Sequence, residues 1–243
     1  MASPACCSAG PPIVSDYKPK GSMSKAGERE TYLIGSGPKA IIVIYDIFGL
    51  STQAKQVCDT LAAAGYNVAM PDFFEGKPWL LENFPPKDKA VFHSWLGEVG
   101  NWESVVLPVL NSTMAHMKEH MGVEIFGLLG FCWGGKISMH AATLGTQGGI
   151  KASGCVHPAF LSEELAKEVK VPMLILPSRD EPDLSDVTET LKKKDFGDKC
   201  FFHRFDDMHH GFCAARGDWT QADQAARASE ALGMVQKFFE STL

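Results

Sequence analysis

The sequence has no apolar run long enough to cross a bilayer. The longest unbroken run spans residues 40–45 of the 243-residue chain, whereas a membrane-spanning helix needs about 20 apolar residues. The chain also lacks a block of basic residues, because its 23 lysines and arginines are outnumbered by 29 aspartates and glutamates, for a net charge of −6. A surface of that sign repels the phosphates of nucleic acid. The sequence therefore argues against both membrane and nucleic-acid partners.

Cysteine is present but lacks the paired spacing of zinc sites. The seven cysteines are scattered along the chain, and an odd, unpaired set favours a reducing compartment. The first twelve residues lack the basic and apolar segments of a secretory signal, and Ala2 replaces the glycine that myristoylation requires. These absences predict a cytoplasmic protein, and Cys6 and Cys7 are expected to lie in a disordered end.

The sequence does have a regular alternation of short apolar runs and longer helical patterns after residue 30. Continuous apolar runs such as residues 40–45 are typical of strands that are covered on both faces. The pattern therefore predicts an α/β fold, with a mostly parallel central sheet and helices on both faces. One domain at residues 31–243, preceded by an N-terminal arm at residues 1–30, fits the length. The expected strands are residues 31–34, 40–45, 67–70, 123–130, 152–157, 171–176 and 200–205.

The most informative segment is residues 127–136, where an apolar strand runs through Gly130-x-Cys132-x-Gly134 into an amphipathic helix. This is a nucleophile elbow with cysteine in place of serine, because Gly130 and Gly134 leave room around a side chain at a sharp turn. The positive end of the helix dipole favours thiolate over thiol at this position. Cys132 is therefore the predicted nucleophile. The alternative is a small buried side chain in a glycine-rich connection.

Two candidate partners follow later strands. Asp180 comes just after strand 171–176, and His210 follows strand 200–205. Because the carboxyl ends of parallel strands meet at one sheet edge, both loops are expected to open on the side of Cys132. The chain order of nucleophile, acid and base is that of the α/β-hydrolases. The predicted triad is Cys132, Asp180 and His210.

Five short motifs stand out together: residues 45–49 (YDIFG), 130–135 (GFCWGG), 178–180 (SRD), 210–212 (HGF) and 215–217 (ARG). In these motifs the chain resembles the dienelactone hydrolase (carboxymethylenebutenolidase) family of α/β-hydrolases. The resemblance implies that Cys132 is the nucleophile, that His210 is a general base and then an acid, and that Asp180 is its orienting carboxylate. It also implies an oxyanion hole formed by the backbone N–H groups of Ile47 and Trp133.

Three more residues are expected at the site. Asp46 stands where the family's bacterial members place a glutamate that holds the resting thiol; the alternative is a structural carboxylate that accepts backbone N–H groups. His157 ends a strand on the active face and either lines the pocket or is satisfied by local backbone. Arg216 lies near the family's arginine for the substrate carboxylate, two residues beyond the bacterial position, and the alternative is a surface salt bridge. His210 rather than His209 is the predicted base, because only His210 directly precedes the Gly-Phe pair.

A rival enzyme class is indicated by one further motif. His116, Glu119 and His120 match the H-x-x-E-H pattern of a zinc peptidase, in which two histidines one helical turn apart bind the metal. No third ligand follows at a recognisable spacing, and long polar residues at a helix end normally form a solvated face. The sequence therefore favours a site without a metal.

These residues predict an enzyme that opens a lactone or activated ester through a thioester on Cys132, without a cofactor. The expected partner is a small-molecule ester or lactone, and the expected state is a monomer or homodimer. The competing hypothesis is a non-catalytic ligand-binding or redox-sensing protein on the same fold, which would use the thiol of Cys132 without turnover.

Overall fold

The structure, a computed structural model, describes residues 10–243, so Cys6 and Cys7 lie outside the described residues. Eight strands form one sheet. The strands are β1 (Ser22–Ala26), β2 (Arg29–Ile34), β3 (Lys39–Ile44), β4 (Asn67–Pro71), β5 (Ile125–Phe131), β6 (Ile150–Val156), β7 (Met173–Leu176) and β8 (Phe201–Phe202). The α-helices are α1 (Thr52–Ala63), α2 (Lys89–Val99), α3 (Leu107–Met121), α4 (Trp133–Ala142), α5 (Glu163–Glu168), α6 (Ser185–Lys192) and α7 (Ala222–Thr242).

The strand order is β1-β2-β4-β3-β5-β6-β7-β8. The pairs β1–β2 and β2–β4 are antiparallel, and every other pair is parallel. Helices α1 and α7 contact each other on one face, whereas α4 packs on the sheet and against α5. The predicted α/β class with a mostly parallel sheet is confirmed.

Apolar strands and polar helix ends explain the boundaries of these elements. Strand β3 (KAIIVI) is buried after its first residue, as expected for a central strand. Helix α1 begins where the Ser51 side chain accepts a hydrogen bond from the Ala54 N–H at 3.2 Å. Helix α3 ends at Gly122, which has a φ of 66° and closes the last turn.

The N-terminal boundary differs from the sequence prediction. Residue 30 lies inside β2, and β1 pairs with β2 in the hairpin Ser22↔Leu33 to Ala26↔Arg29. Strand β1 (SMSKA) is mostly exposed and polar, so it carries none of the apolar signal of a central strand. The preceding segment is anchored too, because the Tyr17 hydroxyl donates to Asp59 Oδ2 at 2.8 Å. The predicted arm at residues 1–30 is therefore wrong for the part that forms the sheet edge.

The sheet brings the ends of six parallel strands to one edge. The residues that follow β3, β4, β5, β6, β7 and β8 all emerge there, since these strands run in the same direction. This edge carries the polar and strained residues described below. No helix in residues 10–243 is long and apolar enough to span a membrane.

Candidate active site

Cys132 occupies a strained turn between β5 and α4. Its φ of 55° and ψ of −115° lie in a region that residues with a Cβ atom rarely adopt. The neighbouring glycines are required by close backbone contacts: a Cβ on Gly130 would lie 1.9 Å from the Gly134 carbonyl oxygen, and one on Gly134 would lie 2.2 Å from that of Ile44. The sequence prediction of an elbow at Cys132 therefore matches the backbone geometry.

The segment after β6 braces this turn. The Cys132 N–H donates to the Val156 carbonyl at 3.4 Å, and the Cys132 carbonyl accepts the N–H groups of Ala159 at 2.8 Å and Gly135 at 2.9 Å. His157 lies between Val156 and Ala159 and also has a positive φ, of 39°. The elbow and the turn after β6 thus hold each other through backbone hydrogen bonds.

The carboxylate beside the imidazole of His210 is Glu181, not the predicted Asp180. The Nδ1 atom of His210 lies 2.5 Å from Glu181 Oε1, and both side chains are buried. Asp180 contacts a different part of the same residue, because its Oδ2 accepts the His210 backbone N–H at 2.8 Å. The assignment of Asp180 as the group that orients the ring is therefore corrected to Glu181.

The loop after β7 explains why the longer side chain turns inward. The Ser178 hydroxyl donates to Glu181 Oε1 at 3.1 Å, and the Ser178 N–H donates to Oε2. The Arg204 guanidinium donates to the backbone carbonyls of Ser178 at 2.6 Å and Glu181 at 3.1 Å, which fixes the loop. Asp180 is partly exposed beside Arg179. The sequence signal that was missed is the second acid of the Asp-Glu pair.

The structure separates the two adjacent histidines. His210 is buried against Glu181, whereas His209 is half-buried, and burial lowers the pKa of its imidazole. The choice of His210 over His209 as the residue with a carboxylate partner agrees with this geometry.

The two residues predicted for the oxyanion hole frame the elbow. Trp133 is the first residue of α4, so its N–H has no acceptor in the preceding turn of that helix. Ile47 follows β3, is buried, and accepts the Trp79 N–H on its carbonyl at 2.9 Å. Both backbone positions lie at the sheet edge of Cys132, and their role in binding an oxyanion stays a prediction.

Asp46 and Arg216 are both buried, and they lie on two segments that contact each other. The two carboxylate oxygens of Asp46 accept the Phe48 N–H at 2.9 Å and the Ala215 N–H at 3.2 Å. These are the contacts of the structural alternative for Asp46, and its gating role stays a prediction. The Arg216 side chain lies over two aromatic rings, with Cζ 5.1 Å from the centroid of Phe48 and 4.6 Å from that of Phe84. At 3% exposure Arg216 is not a surface residue, so the alternative of a surface salt bridge is wrong.

His157 is enclosed by the site. Its ring is 0% exposed and lies 5.1 Å, centroid to centroid, from His210 in an edge-to-face contact. Burial, followed by the proximity of His210, holds the pKa of His157 well below its usual range. Its backbone N–H donates to Leu176, whereas neither ring nitrogen has a hydrogen-bond partner among the described residues.

Two other buried thiols, Cys155 and Cys213, differ from Cys132 in position. Cys155 lies inside β6, and burial raises the pKa of its thiol. Burial also raises the pKa of Cys213 to about 12. Neither stands at a strand-to-helix turn, so neither has the features of a nucleophile.

The rival zinc motif does not extend into a ligand cluster. The rings of His116 and His120 lie 4.7 Å apart on α3. In residues 10–243, no group of three or more His, Cys, Asp or Glu side chains is arranged to hold a metal ion. The histidine pair is therefore separate from the site at the sheet edge.

Comparison with known proteins relates most of the chain to other sequences. The model of the dienelactone hydrolase family matches residues 30–243. An uncharacterized AIM2 family protein of Schizosaccharomyces pombe is 34% identical over 230 residues, which cover 89% of this chain and 89% of that protein. A carboxymethylenebutenolidase homolog of Xenopus tropicalis is 34% identical over 148 residues, or 58% of this chain and 57% of that protein.

Solved structures share the fold at low identity. A dienelactone hydrolase from Anabaena variabilis has a TM-score of 0.60 at 14% identity and covers 92% of this chain and 97% of that one. A dienelactone hydrolase-like promiscuous phosphotriesterase from metagenomic libraries has a TM-score of 0.62 at 18% identity, with 88% and 93% covered. These likenesses confirm the α/β-hydrolase fold, and the family match over residues 30–243 confirms the expected resemblance. The chain belongs to the dienelactone hydrolase family.

Proposed function

We propose that this hydrolase opens lactones or activated esters through a thioester on Cys132, with His210 as the base and Glu181 as the carboxylate that orients it. The observation that carries the proposal is the pairing of a cysteine at φ 55° with a buried His–carboxylate pair at the same sheet edge. The hydrogen bond at Nδ1 leaves Nε2 of the imidazole as the nitrogen that exchanges protons with the thiol and with water.

The first half of the reaction forms the acyl-enzyme. The Cys132 sulfur attacks the ester carbonyl while His210 takes the thiol proton, and the resulting oxyanion accepts the N–H groups of Ile47 and Trp133. One such donor contributes roughly 3 kcal/mol to the transition state. The C–O bond then breaks, the alkoxide leaves with the proton from His210, and the acyl group remains on sulfur. Glu181 stabilises the imidazolium at each proton transfer.

Arg216 supports a substrate that carries a carboxylate. A guanidinium packed against the rings of Phe48 and Phe84 is restricted in its orientation, and its planar fork matches a carboxylate with two parallel hydrogen bonds. Asp46 bonds the neighbouring backbone of Ala215 and so fixes the loop that carries Arg216. We therefore infer a preference for anionic lactones over neutral esters.

The competing hypothesis is a non-catalytic thiol sensor on the same fold. The buried Glu181–His210 contact argues against it, because redox sensing needs a reactive thiol but not an imidazole with an orienting carboxylate. The cysteines within residues 10–243 form no disulfide bond, and a cytoplasmic location stays a prediction in either case. A monomer or homodimer stays a prediction.

The test is to trap the acyl-enzyme. The protein is incubated with a library of lactones and activated esters, quenched in acid, and analysed by peptide mass spectrometry. An acyl adduct on Cys132, absent from Cys132→Ala and retained in the matched control Cys200→Ala, is the expected result. Turnover of the same esters by Cys132→Ala would contradict the proposal, whereas a thiol that oxidises reversibly without ester turnover would favour the sensor.

A further inference from the structure

His157 combines two features that proteins rarely retain without a use. The ring is fully buried, yet Nδ1 and Nε2 have no hydrogen-bond partner among the described residues. A buried polar atom without a partner costs free energy, and nearly all such groups in folded proteins are satisfied. The backbone of His157 also adopts a φ of 39°, which is strained for a residue with a side chain.

Two backbone hydrogen bonds on either side of His157 account for its strained backbone and direct its ring into the site. The His157 N–H donates to Leu176 at 2.8 Å, and two residues later the Ala159 N–H donates to the Cys132 carbonyl at 2.8 Å. Turning the chain so sharply between these contacts leaves the imidazole among Phe131, His210 and Phe212, at centroid distances of 5.6, 5.1 and 5.8 Å. Of these three aromatic neighbours only His210 has polar ring atoms, so the unpartnered nitrogens of His157 lie beside the ring of the proposed base.

The neutral form of the ring suits a contact with water. Burial and the positive charge of its neighbours keep His157 uncharged, so it offers one donor and one acceptor without opposing the imidazolium that forms on His210. One water with two hydrogen bonds of about 2.8 Å bridges nitrogen atoms roughly 4.5 Å apart. The rings of His157 and His210, whose centroids lie 5.1 Å apart, are the pair that we expect such a water to bridge.

We propose that His157 is a catalytic residue that binds the water which hydrolyses the thioester, between its own ring and that of His210. This inference rests on the proposed cysteine mechanism. In the step, the water oxygen attacks the thioester carbonyl while His210 takes one water proton. The C–S bond then breaks, the sulfur leaves as thiolate and regains the proton from His210, and the acid is released.

Because His157 acts only in deacylation, the second half of the reaction, the variant His157→Phe is expected to have a specific phenotype. The acylation rate stays within about threefold, whereas deacylation slows by about 10- to 100-fold because the water is no longer oriented. Rapid mixing with a chromogenic activated ester then shows a burst of one leaving group per active site followed by slow turnover. Intact mass analysis shows the acyl adduct on Cys132 accumulating. Thermal stability is unchanged or increased, since an apolar ring removes two unsatisfied nitrogens.

Three further measurements sharpen the test. Hydroxylamine attacks thioesters without an oriented water, so it accelerates His157→Phe by a larger factor than the wild type. His157→Gln restores a donor and an acceptor, and its deacylation rate is expected to lie between those of the wild type and the Phe variant. The matched control is His140→Phe, which replaces a half-buried histidine of α4 that stacks on Trp102, and it is expected to leave both rates unchanged.

The outcomes separate this inference from the proposed mechanism. Suppose that Cys132→Ala is inactive and that hydroxylamine captures the acyl group of the wild-type acyl-enzyme. If His157→Phe then deacylates at the normal rate, His157 does not bind the water. Equal slowing of acylation and deacylation also overturns the inference, because it indicates displacement of His210. If neither the wild type nor His157→Gln forms a thioester while esters are still hydrolysed, the cysteine mechanism itself is wrong. Should His157→Phe fail to fold, the rates of His157→Gln and His157→Leu decide between the same outcomes.

Discussion

Cys132 and the Glu181–His210 pair stand at the same sheet edge, but different contacts hold them there. The position of Cys132 is determined by backbone sterics: two glycines allow the turn, and backbone hydrogen bonds to Val156 and Ala159 brace it. The position of the His210 ring is determined by side chains, through a carboxylate that is itself held by Ser178. Backbone sterics follow directly from residue type, whereas a choice between two adjacent carboxylates does not.

The largest expected effect tests the strained backbone turn at Cys132. Cys132→Ala is expected to lower ester hydrolysis by about 10⁴- to 10⁶-fold, as the loss of a nucleophile does in hydrolases. Its free energy of unfolding should change by less than about 1 kcal/mol. Cys132→Gly should be equally inactive yet more stable than the Ala variant by about 1 kcal/mol, because glycine adopts a positive φ without strain. Denaturant titration of the two variants measures that difference, and equal stabilities would mean that the turn is not strained.

The second-largest effect tests whether the Glu181 side chain positions the ring of His210. Glu181→Gln is expected to lower turnover by up to about 10⁴-fold, because an amide at Nδ1 holds the imidazole in the wrong tautomer. Asp180→Asn is the matched control and should cost no more than about tenfold, since its carboxylate bonds the His210 backbone rather than the ring. Steady-state kinetics on one activated ester ranks the two variants. The reverse ranking would restore Asp180 as the orienting acid.

The part of the site that the sequence predicted is the part that depends on sterics and strand order. Apolar runs located β3 and β5, and the spacing of Gly130 and Gly134 identified the turn at Cys132. The antiparallel hairpin of β1 and β2 was not predicted, because β1 is a polar edge strand. Such a strand is recognised only through its partner.

The features of the site that the sequence left undetermined have a common physical cause. Asp180 and Glu181 are adjacent in sequence, and only the three-dimensional path of the loop around Ser178 and Arg204 determines which carboxylate turns inward. The burial of Arg216 is likewise a consequence of two aromatic side chains from distant loops, Phe48 and Phe84. The effects of tertiary contacts between loops leave no periodic signal in a single sequence.

A smaller effect is expected from substitutions of Arg216, which should change the preference for an anionic substrate over a neutral one. Arg216→Met keeps a long apolar side chain against Phe48 and Phe84 but removes the charge. The ratio of kcat/KM for a lactone acid to that for its methyl ester should fall by about 10- to 100-fold, the value of one or two charge-assisted hydrogen bonds. Arg216→Lys, the matched control, keeps the charge without the fork and should retain part of the preference. An unchanged ratio in the Met variant would show that Arg216 does not contact the substrate.

The smallest effect lies outside the site, where the segment before β1 is attached to α1. The Tyr17 hydroxyl donates to Asp59 Oδ2 at 2.8 Å, and the Lys20 N–H donates to the same oxygen. Tyr17→Phe removes one hydrogen bond to a carboxylate that keeps its bond from Tyr32, at 2.6 Å. We expect a loss of about 1 kcal/mol in the free energy of unfolding, with kcat unchanged, because the hydrogen bonds of Tyr17 and Asp59 join the segment before β1 to α1 and β2. Urea titration and ester turnover of the same preparation check both parts; a loss of turnover without a loss of stability would show that this segment influences the site.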